Sequence, residues 1–397
     1  MRQIIYHVDV NNAFLSWEAV HRLSKGDISD LRDIPSAVGG DREKRHGVIL
    51  AKSTPAKKYG IITGEPVVSA LKKCPSLVIV PPNHELYQRC SDRLFALLED
   101  KSPIVDRFSI DECFLDMSGM DKIIGDAVDA AYKLKDEVKE KFGFTVNIGV
   151  SENRLLAKMA SDFSKPDKVH TLYVDEIKEK LWPMDAGFLF MVGKSTLSKL
   201  KSLGINTIGD IAKFDPDLLK YHLKSAGITI WNYAHGIGFE DYERDAGKSV
   251  GNSTTTAYDI KDRETACKYI LGLCENVGTR LRRTKLKAHV VCVNFKNNNF
   301  VSYSVQKKLD KGIDSTNEIY QQAVCLFDKG WKKDSIRLIG VTVSSLGHDD
   351  TVQLSILEDS GDYEKTSRLD NSIDRIREKY GNDVLQRAIF INNKEKL

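Results

Sequence analysis

A chain of 397 residues, 41% apolar and 29% charged with a net charge of +3, has the composition of an ordinary globular protein and length for about two to four domains. Seven scattered cysteines, an odd number with no CxxC pair, argue against a disulfide scaffold and read as reduced thiols in a core. No segment has the apolar length of a membrane span, and the N-terminal apolar run is too short for a signal peptide, so a soluble cytoplasmic protein is expected.

In chain order, "QIIYHVDV" alternates and is rich in β-branched and aromatic residues, which predicts a strand over Gln3–Val10 with Asp9 near its end. "NAFLSWEAVHRL" then reads as a helix with Phe14, Trp17 and Val20 or Leu23 on one face. Residues 36–80, with several Gly and Pro, read as a small α/β insertion. A helix is expected over Leu86–Asp100, then strand, tight turn and strand in "IVDRFSIDECFLDMSG", then a helix ending at Gly143. "FTVNIGV" is a strand, and "SENRLLAKMASDFSKP" a helix opened by Ser151 as N-cap and stopped before Pro166. This order predicts an α+β core, ferredoxin-like, with helices on one face of a mainly antiparallel sheet.

After about residue 174 the pattern shifts to short helices joined by Gly turns. "GFEDYERDAGKSVGNS" is polar and unpatterned and reads as a linker. Beyond it come a helix over Arg263–Arg283, strands in "KAHVVCVNFK" and "FVSYSVQKKL", a helix over Ser315–Lys329 and a strand in "IRLIGVTVSSL". The charged tail from Glu358 holds one amphipathic helix around Ile373, Ile376 and Tyr380.

Two carboxylates, Asp111 and Glu112, sit side by side in an otherwise apolar run, and burying a charge is costly unless it is paired or bound to metal. They are either turn acids facing water or part of a cation site. Asp9 is the best partner for the second reading. Three acids at one end of a sheet suit hard cations such as Mg²⁺, and two such ions can drive phosphoryl transfer. On the residues alone both readings stand.

"VGKST" at Val192–Thr196 invites a P-loop reading, but that pattern needs four residues between its glycines, and Gly187 and Gly193 are separated by five. The stretch reads better as helix-hairpin-helix: helix Lys194–Ser202, a turn through Gly204, and a helix capped by Thr207. Backbone N–H groups near Gly193 and Gly204 would then hold a DNA phosphate without reading sequence. From Lys248 to Ser345 the chain has 17 Lys/Arg against 9 Asp/Glu. Within that basic region Arg280, Arg282, Arg283, Lys285 and Lys287 lead into a strand and are candidates for a duplex backbone.

"SIDECFLD" resembles the S-I-D-E-[AC]-[FY]-L-D signature of the Y-family DNA polymerases, the low-fidelity translesion enzymes. "HVDVNNAFLSWE" is similar to their first motif, "VILAKSTPAKKYGIITGEP" to the fingers motif and "NIGVSENRLLAKMASDFSKPDK" to the late palm motif. The four occur in family order and spacing, and the resemblance covers about residues 1–357. Within the family the wording is most similar to the DNA polymerase IV branch (DinB-like rather than UmuC-like).

The resemblance implies a multidomain right-hand polymerase. Its parts would be a ferredoxin-like palm (1–20 and 80–173), small fingers (21–79), a helix-hairpin-helix thumb (174–237), a linker (238–248), an α+β little finger (249–350), and a clamp motif with tail (351–397). It implies two Mg²⁺, replaceable by Mn²⁺, held by Asp9, Asp111, Glu112 and the Val10 carbonyl, with Glu112 nearest the attacking primer 3′-OH. Phe14 would be the steric gate against ribonucleotides. Thr54, Lys57 and Lys165 would meet the triphosphate, with Lys58 able to share the role. Lys158 matches another motif lysine, whose plain alternative is a solvated helix face. Thr54 stands where a Tyr is usual and Lys57 where an Arg is usual, which weakens the expected contacts. Asn11 stands where the family often has an acid, and Ala13 replaces a common aromatic.

"QLSIL" (Gln353, Leu354, Ile356, Leu357) resembles a sliding-clamp peptide. The expected partners are primer–template DNA, a dNTP and a sliding clamp, with a monomeric enzyme, no membrane and no proofreading exonuclease. A cyclase-like palm and a non-catalytic DNA-binding accessory protein are the alternatives. The first lacks its GG(D/E)EF-type loop here; relatives of the second kind have lost acids that this chain keeps.

Overall fold

The computed structural model describes residues 3–40, 47–238, 247–348, 360–381 and 384–391. They form two compact units, one of the described residues up to 238 and one of those from 247 onward.

The first unit runs β1 (Ile5–Val10), α1 (Ala13–Ser24), β2 (Ser36–Gly39), β3 (Ile49–Lys52), α2 (Thr54–Lys58), α3 (Val67–Lys73), β4 (Val78–Val80), α4 (His84–Glu99), β5 (Ile104–Arg107), β6 (Glu112–Asp116), α5 (Asp121–Ile124), α6 (Ala127–Phe142), β7 (Val146–Ser151), α7 (Arg154–Ser161) and β8 (Val169–Thr171). Four helices follow: α8 (Lys194–Ser202), α9 (Ile208–Lys213), α10 (Pro216–Leu223) and α11 (Ser225–Ala234). The main sheet has the order β5-β6-β1-β7-β8, and its first four strands give the ferredoxin-like βαββαβ arrangement. β1 is central and antiparallel to both neighbours. A smaller sheet, β3-β2-β4, carries the 36–80 segment.

All six residues of β1 are buried, because both of its faces are covered. Side chains alternate along a strand. Tyr6, Val8 and Val10 join Trp17 of α1, Tyr87, Leu94 and Leu98 of α4 and Leu134 and Val138 of α6 in one core. The other face carries Ile5, His7 and Asp9. There Ile5 packs with Phe114 of β6 and Ala157 of α7. The polar residues of β1 thus lie under α7.

α7 departs from its expected start. Ser151 ends β7, buried, its hydroxyl donating to the Leu172 carbonyl. Asn153 is the N-cap instead, accepting from the Leu156 N–H at 2.9 Å. The strand claims Ser151 because its whole stretch is buried, leaving Asn153, with extended backbone, to cap the helix.

The second unit holds β9 (Ser249–Ile260), α12 (Arg263–Arg283), β10 (Lys287–Asn297), β11 (Ser302–Ile313), α13 (Thr316–Gly330), β12 (Ile336–Gly347), α14 (Ser360–Tyr380) and α15 (Ala388–Ile391). Its antiparallel sheet has the order β11-β10-β12-β9. Ile270, Leu273, Val277 and Leu281 of α12, with Ile319, Ala323 and Phe327 of α13, pack on Val291, Val293, Phe295, Ile339, Val341 and Val343. β9 begins inside the stretch that reads as a linker. Among the described residues no helix is long and apolar enough to cross a membrane.

Candidate active site

Asp9 and Glu112 face each other directly in the β1–β6 register. The geometry follows from the period of two: His7 pairs with Phe114 and Asp9 with Glu112, all on the α7 side. Asp9 is only 6% exposed, so its carboxylate needs a counter-charge. Lys165 Nζ supplies it at 2.7 Å and also binds Asp162 at 2.8 Å. Glu112 Oε2 receives Lys158 Nζ, from α7, at 2.9 Å. The Lys158 ammonium also lies 5.0 Å from the Phe108 ring centre and 5.6 Å from that of Phe190.

Burial pushes the Asp9 carboxyl up to about 7, with Lys165 pulling it down and Glu112 and Asp162 adding repulsion. Burial also tends to lower the Lys165 ammonium, but the paired acids leave it above the usual lysine range. His7 is fully buried. Burial first, and then Lys158 and Lys165, hold it well below the imidazole range, so it is neutral. Ser161 Oγ lies 2.8 Å from both His7 Nδ1 and the Lys158 carbonyl, so it ties the imidazole to α7. His7 Nε2 has no hydrogen-bond partner and lies 3.9 Å from Glu112 Oε2. The sequence alone gives His7 no role, although its position two residues before Asp9 puts it on the same strand face.

Asp111 is not brought onto the other two acids. It sits in the β5–β6 turn, its carboxylate accepting from the Ser109 hydroxyl at 2.6 Å, while its backbone carbonyl accepts from the Val10 N–H at 3.0 Å. Among the described residues no three His, Cys, Asp or Glu side chains form a ready metal cluster. The expected convergence of three carboxylates is therefore met by two, because the residue next to Glu112 belongs to the turn. The donor set still fits a hard divalent cation. Two carboxylates oppose each other, one nearly buried with a raised carboxyl, and lysine ammonium groups supply the positive charge.

Phe14, on the first turn of α1, is half-buried and stacks on Tyr87 with ring centres 4.4 Å apart, with His84 edge-on at 6.0 Å. Thr54, Lys57 and Lys58 lie exposed on α2, whose N-cap is Ser53. Gly193 is the N-cap of α8 and brings no side-chain cap, so the start of that helix is open. The start of α9 is closed: Thr207 Oγ1 accepts from Asp210 N–H, and Asp210 accepts from the Thr207 and Asn206 N–H groups. Gly204, with φ at 79°, makes the turn between the two helices.

In the second unit Arg283 and Lys285 are exposed, and Lys287 opens β10 half-buried. Arg280, also exposed, donates to the Gly251 carbonyl at 2.9 Å. Arg282 corrects the sequence reading. Its side chain is 8% exposed and bound to Asp374 at 2.6 Å and Asp370 at 3.4 Å, both from α14. Tail acids take this guanidinium, so it is not presented to a polyanion. Gln353, Leu354, Ile356 and Leu357 lie outside the described residues.

A sequence profile of the impB/mucB/samB family matches residues 8–162, and the profile of that family's C-terminal domain matches residues 247–356. The chain is 45% identical to DNA polymerase IV of Clostridium acetobutylicum over 398 residues, covering 100% of both chains. It is 36% identical to DNA polymerase IV of Acetivibrio thermocellus, covering 99% of both. Among solved structures it is similar to a Y-family DNA polymerase chimera of Dbh and Dpo4, with a TM-score of 0.75, 25% identity and coverage of 86% of this chain and 99% of that one. A Dbh ternary complex matches with a TM-score of 0.59 at 25% identity, over 86% of this chain and 98% of that one. Profiles over both units and full-length relatives of one kind agree: the chain belongs to the Y family of translesion DNA polymerases, in its DNA polymerase IV branch.

Proposed function

We propose that this enzyme extends a primer 3′-OH on a DNA template at the Asp9–Glu112 site, transferring a nucleotidyl group from a dNTP and releasing pyrophosphate. The observation that carries this reading is the opposed pair Asp9–Glu112, each acid on a lysine, beneath α7. Asp9, Asp111, Glu112 and the Val10 carbonyl would hold two Mg²⁺, or Mn²⁺ in their place. Bound there, the ions would favour the alkoxide of the 3′-OH and neutralise charge on the leaving phosphate.

The chain's own residues do the rest. Glu112, held by Lys158, presents its carboxylate toward the primer end. Lys165 moves its charge from Asp9 to the triphosphate, with Thr54 and Lys57 as weaker contacts from the fingers. Phe14, braced by Tyr87, occupies the space a ribose 2′-hydroxyl would need. Residues 1–20 with 80–173 serve as palm, 21–79 as fingers, 174–237 as thumb and 249–350 as little finger. Gly193 and Gly204 of the thumb, with Arg280, Arg283, Lys285 and Lys287 of the little finger, follow the duplex backbone. A sliding clamp at Gln353–Leu357, a monomeric state and a cytoplasmic setting complete the reading.

The test is extension of a labelled primer with Mg²⁺ and dNTPs. Wild type should extend under template control. D111A/E112A should bind primer–template without extending it, and F14A should admit ribonucleotides. Undiminished extension by the acid variant would move the chemistry away from this site.

A further inference from the structure

Lys165 reaches Asp9 from a loop, Asp162–Lys168, that has no regular secondary structure. Two buried amides hold that loop. Asn11, 4% exposed, lies just beyond β1, and Asn147, 0% exposed, lies in β7 opposite Asp9. Asn11 Nδ2 donates to Asn147 Oδ1 at 3.1 Å. Asn147 Nδ2 donates to the Ser161 carbonyl at 2.9 Å and the Ser164 carbonyl at 2.7 Å. Asn147 Oδ1 also accepts the Lys168 N–H at 3.2 Å. Asn11 Oδ1 accepts the Asp167 N–H and the Thr145 hydroxyl, both at 2.9 Å.

The orientation of each amide is fixed by its partners. Carbonyls at Ser161 and Ser164 can only accept, and backbone N–H groups at Asp167 and Lys168 can only donate. The two asparagines therefore grip the segment from Ser161 to Lys168 on both sides of Lys165. Lys135 and Lys139 hold the Asp167 carboxylate as well, each at 2.8 Å. An aspartate at position 11 would replace the donor to Asn147 Oδ1 with an oxygen that repels it. Asn147 could not flip to compensate without turning its own donors away from both serine carbonyls. Buried networks of this kind rigidify when every member is satisfied.

We propose that the Asn11–Asn147 pair is a positioning device for nucleotide binding: it fixes the loop so that the Lys165 ammonium, held on Asp9, is within reach of the triphosphate of an incoming dNTP. The inference rests on the reading of Lys165 as a triphosphate contact. Both asparagines act through Lys165 and touch no substrate themselves.

Single-nucleotide insertion kinetics on K165A, N147A and the double variant test it, alongside melting temperature, primer–template affinity and the fraction of active enzyme. K165A and N147A should each raise KM for dNTP about tenfold, with primer–template Kd unchanged. The double variant should be no worse than K165A alone, because both changes remove one contact. Raised KM in K165A with wild-type KM in N147A would overturn the positioning role and leave the triphosphate reading standing. Wild-type KM in K165A would overturn both. A smaller active fraction in N147A at unchanged KM would mark a merely structural residue and also overturn the proposal. Should N147A not fold, N147S, whose hydroxyl replaces one donated bond, takes its place in the same cycle with the same outcomes.

Discussion

At Gly149 of β7 the backbone of α7 comes very close to the sheet. A Cβ there would lie 1.9 Å from the Ala157 carbonyl oxygen and 2.5 Å from the Ser161 amide nitrogen. Both atoms are backbone, so no side chain can swing aside. Ordinary contact begins at 3.4 Å, and α7 must retreat by about 1.5 Å to accept an alanine. Overpacking a core costs about 1–3 kcal/mol, and a backbone neighbour puts G149A at the upper end, about 3 kcal/mol. At roughly 2–4 °C per kcal/mol for a unit of this size, the first unit should melt about 6–12 °C lower. Activity should suffer beyond stability, because α7 carries Lys158 to Glu112 and Ser161 to His7. A misplacement of about 1 Å in such supports can cost about 100-fold in kcat/KM. Thermal unfolding by circular dichroism and primer extension well below the melting point measure the two effects separately. A variant melting within about 1 °C of wild type, with near-normal extension, would refute the close-approach argument.

The raised carboxyl of Asp9 sets a pH test. Relative to its ordinary value of 3.8, its stabilising contribution is complete below that value and lost as pH rises through about 7. In EDTA, D9N should therefore melt above wild type at pH 8, with the gap closing toward pH 5; a gap that does not change with pH would contradict the burial of this charge. F14A removes a half-buried ring stacked on Tyr87 and should cost about 2 kcal/mol while lowering discrimination against ribonucleotides about tenfold or more; unchanged sugar selectivity would assign Phe14 to the core alone. R282A leaves Asp370 and Asp374 without their partner and should destabilise the second unit by about 3 kcal/mol, with DNA affinity maintained. K285A should do the opposite, keeping stability and lowering the salt slope of DNA binding by about 1. Equal losses of DNA affinity in the two variants, with no change in melting, would show that Arg282 serves DNA after all.

Local signals read well from the chain. The helix Lys194–Ser202 and the helix Arg263–Arg283 have the ends their patterns predict, and Thr207 caps α9 as expected. These features depend on neighbours within a turn or two. The strand β9 did not announce itself, since its opening "SVGNSTTT" has the Ser, Thr, Asn and Gly content of a linker. It is an edge strand, and pairing with β12 supplies what its composition does not. At the site, the opposition of Asp9 and Glu112 follows from strand periodicity once the pairing is known. The turn geometry that holds Asp111 on Ser109 does not follow from periodicity. Long-range partners were the least visible: Lys158 on Glu112, Asn147 on Asn11, and tail acids on Arg282 each join residues far apart in the chain.

The tail has a consequence for how the second unit is dissected. Glu275 and Arg282, seven residues apart on α12, are matched by opposite charges from the tail: Arg377 and Arg387 on Glu275, Asp370 and Asp374 on Arg282. A chain cut after Gly347 would keep the whole sheet and both packed helices, yet bare one acid and one guanidinium on the same helical face. Its charge map would differ from that of the intact protein where α12 lies. Measured on such a fragment, Arg282 would be credited with a nucleic-acid contact that the complete chain withholds.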